Sequence, residues 1–425
     1  MMKNWFKKYN KNDSLIRDSV ILFTATIILN FSGFVYHFFM GRLLGPEFYG
    51  ILGVLLSLLY LLQVFLQVIQ TSISRFISQF HVENKIKDIK ILAYIGEKKL
   101  IYYGIISIII LSILIYPLNK FLNVGYTPLI IILAIFPFLM LTAWNRGILQ
   151  GLQNFKALGI NYITEGLSKL GIGLILVFFG FGITGAVLGI TLAMIISFFV
   201  SLIPLRKILK KTKESIDTKP IYTYTIPVFL TLTSLTFFYS IDVILVKKFF
   251  ESLDVGYYSA AAIIGRIIFF ATMALSYVMF PKVVGLYEKK LPTKNILFKS
   301  LGIVGFVSSI GILGYLLLPD LVINILFGRT YLPISPLIWI FGLGMGFFSL
   351  IYTLSFYNLS IKKTRFIWLL ISFNVIEVIM LILSKKTILS YTTNLTVMYF
   401  VLFIILLIYT LANKNEKINH NNTGA

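Results

Sequence analysis

Long apolar runs separated by short polar stretches recur from Ser19 to Leu411. A helix rises 1.5 Å per residue, so about 20 apolar residues cross the hydrocarbon of a bilayer. The pattern predicts twelve such helices. Six run over 19–40, 51–74, 100–118, 127–149, 161–180 and 185–205. Six more run over 222–246, 256–283, 298–318, 335–357, 365–383 and 391–411. Pro137 and Pro227 fall inside the fourth and seventh, as breaks that neighbouring helices or a cavity must compensate. The expected architecture is an all-α integral membrane protein of two six-helix bundles, 19–205 and 222–411. A segment 1–18, a basic linker 206–221 and a tail 412–425 flank them.

The composition agrees with a membrane solvent. Of 425 residues, 58% are hydrophobic and 13% are charged, more apolar surface than a soluble chain can bury. There is no cysteine, which excludes disulfides and thiolate metal or redox chemistry. The N-terminal segment has no short apolar core followed by a small-residue cleavage site, so the first helix reads as retained rather than as a signal peptide.

The net charge of +22 is distributed in a telling way. With twelve helices, 28 of the 38 lysines and arginines fall in alternate loops and termini on one side, including Arg75, and only seven on the other, including Arg42 and Lys248. That bias places both termini in the cytoplasm, with the protein in the cell membrane. These cations are spread over many short loops without interleaved aromatics, so nucleic-acid binding is not implied.

The stretch GRLLGPEFYG at 41–50 returns as KKFFESLDVGYYSAA from Lys247. Setting Gly50 against Gly256 gives a shift of 206; QGLQNFKA from Gln150 matches NLSIKKTR from Asn358 at a shift of 208. Six helices per half is an even number, so the halves are parallel repeats, an arrangement that places a transport path between them.

Three stretches carry a resemblance: LGPEFYG after the first helix, LQGLQNFKALGI between the fourth and fifth, and VGYYSAA with Arg266 in the eighth. The chain resembles the polysaccharide transporter (lipid-linked oligosaccharide flippase) family of the multidrug/oligosaccharidyl-lipid/polysaccharide exporter superfamily, over nearly its whole length. Lipid II flippases of that superfamily carry two more helices, for which there is no room. The resemblance implies two six-helix bundles with alternating access, a polyprenyl-pyrophosphate-linked oligosaccharide as substrate, no enzymatic activity and no cofactor. Membrane lipid and glycan-assembly enzymes are the partners it implies, with H+ or Na+ as coupling ion.

Ionisable residues inside membrane helices are costly and mark function by default. Arg266, Arg146, Arg75 and Lys169 are the candidate cations for a pyrophosphate, which a guanidinium fork suits well. Asp242, Glu165 and Glu377 are candidates for ion coupling or charge pairing. Glu165 and Lys169 stand four apart on one helix face, a spacing that lets them neutralise each other; Asp242 reads as the structural partner of Arg266. Lys169 matches Glu377 at the shift of 208. Arg42 and Lys248 are candidate outer-gate cations. Three histidines leave little for a metal site. Gly180, Gly182 and Gly185 fit G-x-G-x-x-G, but between two membrane helices they read as a tight outer turn. Two alternatives stand beside the flippase: an ion-coupled multidrug-type exporter, and a membrane-embedded glycan polymerase or ligase. The last wants a large catalytic outer loop, and no outer loop here exceeds roughly twenty residues.

Overall fold

A computed structural model describes residues 11–206, 208–209, 219–384 and 387–412, without the side chains of 11–20, 219–225, Pro281 and Glu288. Most of the N-terminal segment, the linker and the tail, as well as Lys385 and Lys386, lies outside these residues. The described chain is helical: α1 Lys11–Val82, α2 Ile86–Leu122, α3 Tyr126–Ala134, α4 Phe136–Gly151, α5 Phe155–Leu176, α6 Gly182–Leu202, α7 Lys219–Phe238, α8 Ile241–Phe249, α9 Ser252–Glu288, α10 Lys294–Leu317, α11 Pro319–Leu326, α12 Ser335–Ser360, α13 Phe366–Leu383 and α14 Ile388–Ala412. Among the described residues, ten stretches are long and apolar enough to cross a bilayer. Two of them, of 62 and 51 residues, each exceed a single crossing and are interrupted near the middle. Counting each as two gives the twelve crossings of the hydropathy pattern.

The interruptions are glycine turns. In α1 the break is Gly45, at φ +71° and ψ 173°, a conformation that costs an L side chain but not glycine. Pro46 follows, preset for a helix start. Between α5 and α6 a π-turn at Val177–Phe181 ends in Gly180 (φ +87°) and Gly182 (φ +51°). The helices it joins pack so tightly that a Cβ on Gly189 would lie 2.4 Å from the Gly173 Cα.

Two expectations shift. The stretch 75–99 is not a loop. Helix α1 continues to Val82 and α2 begins at Ile86, because Ile89, Leu92 and Ala93 are buried on one face. Gly96 admits the Trp144 ring, whose indole N–H donates to the Ala93 carbonyl at 3.2 Å. The seventh helix is also broken, at Tyr239–Ser240 between α7 and α8, twelve residues after Pro227. Pro137 lies just past a break at Ile135, between α3 and α4.

Contacts divide the chain into two compact units: residues 1–48 with 58–229, and 49–57 with 230–425. The segment 49–57 thus packs in the second unit, against α9. A Cβ on Gly50 would sit 2.6 Å from the Gly256 backbone nitrogen, and one on Gly53 2.6 Å from the Ser259 hydroxyl. Gly50 and Gly256, matched by the repeat, touch each other. Small residues let membrane helices approach this closely, where lipid supplies no hydrophobic drive to pack.

Candidate functional site

In the first unit, α4, α5 and α6 converge on Arg146. Its guanidinium donates to Asn161 Oδ1, pairs with Glu165 and donates to Ser197 Oγ at 3.0 Å. The Asn161 amide in turn donates to the Ser197 carbonyl. Asn161, Glu165 and Ser197 are buried. A charge inside the membrane is held by a partner and hydrogen bonds, and Arg146 has both. Its flat face lies 4.5 Å from the Tyr162 ring centre.

Glu165 is therefore paired with Arg146, not with Lys169 as the helical spacing suggests. The α4 arginine reaches Glu165 across the helix interface and brings five donors where a lysine brings three. Lys169 points instead toward α1. Its ammonium is 5.5 Å from the Tyr36 ring centre and 3.3 Å from where a Cβ on Gly33 would stand. Among the described residues no carboxylate forms an ion pair with it. Tyr36 is held by α6, its hydroxyl donating to the Ala186 carbonyl at 2.9 Å.

In the second unit the break between α7 and α8 organises the polar residues. Unwinding frees carbonyls that the membrane interior cannot solvate. Tyr399 donates to the Phe238 carbonyl at 2.6 Å, Arg266 to that of Tyr239, and Tyr391 to that of Asp242 at 3.1 Å. Arg266 also pairs with Asp242 at 3.5 Å, and Tyr258 donates to the other Asp242 oxygen at 3.0 Å. Arg266 is 2% exposed and Asp242 fully buried, so this arginine pins a broken helix. The pairing expected from the sequence is present.

Glu377 on α13 is fully buried as well. Neither of its oxygens has a hydrogen-bond partner, and the same holds for Asn374 Oδ1 one turn earlier and for Ser240 Oγ at the break. Asp242 is close enough to act on Glu377 electrostatically. An orphaned buried carboxylate is expensive unless something neutralises it. Among the described residues no cluster of three metal-ligating side chains occurs.

The remaining candidates stand apart. Arg75 is exposed 6.0 Å from the Phe76 ring centre, and Arg42 stacks 4.3 Å from that of Phe38. Lys248 lies in the last turn of α8. One set of polar residues escaped the sequence reading. On α1, Gln63, Gln67, Gln70, Thr71, Ser74 and Ser78 occupy one arc of the helix, and the Gln70 amide donates to Gln150 and to the Tyr162 hydroxyl, each at 3.0 Å. The signal was the helical spacing of uncharged polar residues in an apolar run.

The fold is similar to that of solved membrane transporters of the MOP superfamily. An inward-facing multidrug resistance MATE family transporter matches with a TM-score of 0.72 and 13% identity, over 92% of this chain and 98% of that one. The lipid II flippase MurJ, in an inward closed conformation, also gives 0.72 at 16% identity, over 92% and 87%. The chain belongs to the polysaccharide biosynthesis protein family, whose description matches residues 15–286. The uncharacterized membrane protein MJ1375 of Methanocaldococcus jannaschii is 28% identical over 329 residues, 72% of this chain and 76% of that protein.

Proposed function

We propose that this protein is a flippase that carries a polyprenyl-pyrophosphate-linked oligosaccharide from the cytoplasmic to the outer leaflet by alternating access, with both termini in the cytoplasm. The observation that carries the reading is Lys169. Within the membrane span of the first unit, Glu165 forms its contact ion pair with Arg146. It acts on the Lys169 ammonium only at longer range, so that among the described residues Lys169 has no contact ion pair. A cation at the bilayer centre costs about 3 kcal/mol or more, and an anionic substrate headgroup offsets that cost. Family membership supports a glycan-assembly role. Arg75 and Arg146 lie toward the cytoplasmic end of the same unit, where they would meet the pyrophosphate first; Arg42 and Lys248 would guard the outer mouth.

The second unit has the opposite balance. Asp242 and Arg266 cancel, leaving Glu377. Glu377 is the site for a coupling proton or sodium ion. The same acid is the one feature that favours the second reading, an exporter of organic cations.

The test is reconstitution in proteoliposomes with the lipid-linked oligosaccharide pool of the source cells, under an imposed proton or sodium gradient. Crossing of the glycan lipid, with loss of crossing in Lys169→Met, is expected. Efflux of a cationic dye without movement of any glycan lipid would overturn the flippase in favour of the exporter.

A further inference from the structure

In the first unit a groove with charge at its rim runs between α2 and the end of α6. It holds about 600 Å3 and is lined by Glu97, Ile196, Phe199, Val200, Ile203 and Arg206. At 100° per residue, Ile196, Phe199 and Val200 fall within an arc of about 100° on α6. Ser197 and Ser201, which accept from Arg146 and Asn145, lie on another face. Phe199 and Ile203 are 58% and 59% exposed. In a bilayer, lipid covers such a face.

The fold brings the two charged residues to this groove from different elements. Helix α6 stops before Pro204, which lacks the N–H to continue it, and a short turn at Ile203–Leu205 follows. Leu205 is fully buried in the core that holds Leu92, Ala93 and Leu100 of α2. That plug fixes the chain at Arg206. Glu97 stands just before the apolar run that begins at Leu100, and Arg206 directly after the run that ends at Leu205. Both therefore lie at the level of the lipid headgroups, where the hydrocarbon ends.

Along α2, Ala93, Tyr94, Leu100 and Ile101 occupy the places three and four residues from Glu97, so its own helix offers it no cation. Among the described residues no ion pair or hydrogen bond holds the Glu97 carboxylate or the Arg206 guanidinium. An acid and a base that line one groove without meeting suit a ligand that carries both signs. The guanidinium fork fits phosphate oxygens. The carboxylate accepts from an ammonium, which has three N–H donors. A purely anionic headgroup would serve Arg206 but be repelled by Glu97, and a quaternary ammonium has no N–H to donate.

We propose that this groove binds one phospholipid whose headgroup joins a phosphate to a primary amine. The phosphate sits on Arg206, the ammonium on Glu97, and a hydrocarbon chain along Ile196, Phe199 and Ile203. The bound lipid ties the end of α6 to α2. It is a resident lipid, distinct from any transported one, and the site does not depend on the flippase reading.

The experiment titrates the full-length protein in detergent with phosphatidylethanolamine, phosphatidylcholine and phosphatidylglycerol of identical chains. Bound lipid is counted by native mass spectrometry, and the readout is the ratio of the apparent Kd values. Phosphatidylethanolamine should bind roughly tenfold more tightly than either other lipid, the value of one charge-assisted hydrogen bond. Glu97→Gln should erase the preference over phosphatidylcholine, and Arg206→Gln should weaken all three lipids. Lys98→Gln, at the adjacent exposed position, should leave the preference as in the wild type. Glu97→Ala serves if the glutamine variant does not insert. A wild-type protein without headgroup preference, or one that prefers phosphatidylglycerol, overturns the site. So does a Glu97→Gln protein that keeps the preference, or a Lys98→Gln protein that loses it equally.

Discussion

Removing the Arg266 side chain separates its two tasks. Arg266→Met leaves Asp242 buried without its cation and leaves the Tyr239 carbonyl at the α7–α8 break without its donor. Deleting one partner of a buried pair costs about 3–5 kcal/mol, and an orphaned buried carbonyl adds about 1–3 kcal/mol. For a unit of this size each kcal/mol is worth roughly 2–4 °C, so the single variant should melt about 8–32 °C below the wild type. Asp242→Asn/Arg266→Met removes the uncompensated charge while the Tyr258 hydroxyl retains an acceptor, and should regain most of the loss. The assay is a double-mutant cycle read by thermal unfolding of purified protein, with Asp242→Asn as the fourth corner. A coupling energy near zero, or a single variant as stable as the wild type, would refute the pinning role. Transport by the stabilised double variant then decides the second task. Activity near wild type means that Arg266 holds a helix; a stable protein that no longer transports means that it also meets the substrate.

Lys169→Met should lower glycan-lipid crossing at least tenfold without lowering the melting temperature, while Lys169→Arg should retain part of the rate; an unaltered rate in Lys169→Met would remove the headgroup assignment. Glu377→Gln should abolish the dependence of transport on an imposed ion gradient while preserving downhill exchange of the same lipid between leaflets, and gradient-driven transport that survives would exclude it as the coupling site. Two glycine substitutions test the packing of 41–57. Gly45→Ala meets open space, but its φ and ψ lie in a region open essentially to glycine alone, so the penalty is backbone strain of about 1–3 kcal/mol. Gly50→Ala drives a methyl into the Gly256 backbone and should cost about 1–3 kcal/mol or more; thermal unfolding of the two variants checks both, and a Gly50→Ala protein as stable as the wild type would refute the close packing.

The helix count was readable because hydropathy alone sets it: lipid demands about 20 apolar residues per crossing, and the glycine breaks at Gly45 and Gly180 satisfy the same turn chemistry in any solvent. The Asp242–Arg266 pair was readable because a lone acid and a lone arginine in neighbouring apolar helices have few other partners. The fate of Glu165 was not. Its i, i+4 neighbour Lys169 satisfies the local rule, but a helix-surface rule ranks partners on one helix, and Arg146 arrives from another with Asn161 and Ser197 already in place. Helical extension to Val82 and from Ile86 was hidden for a related reason. The lysines there suggest a loop, and only the tertiary burial of Ile89, Leu92 and Ala93 under Trp144 shows which face they leave exposed.

The repeat shows how one scaffold is given two chemistries. Three positions correspond by the shifts that align the halves: Tyr36 with Asp242 and Tyr60 with Arg266, each 206 apart, and Lys169 with Glu377, 208 apart. Within the first unit Lys169 lies over Tyr36, and Tyr60 is near enough to Tyr36 to act on it electrostatically. Within the second, Asp242 stands by Arg266 and acts on Glu377. Equivalent places thus cluster in both units, yet the first holds a cation over one of two neighbouring phenols and the second an acid near an ion pair. The supporting hydrogen bonds also correspond. Tyr36 reaches a carbonyl of α6, and in the second unit Tyr391 of α14 reaches the carbonyl of Asp242 itself. A lysine retained at the first place favours an anion and an acid at the second favours a cation or proton. On the proposed reading the lysine serves the substrate and the acid serves the coupling ion. Exchanging the two in a Lys169→Glu/Glu377→Lys variant keeps the total charge; if that protein still moved the same glycan lipid under the same gradient, the division of labour would be wrong.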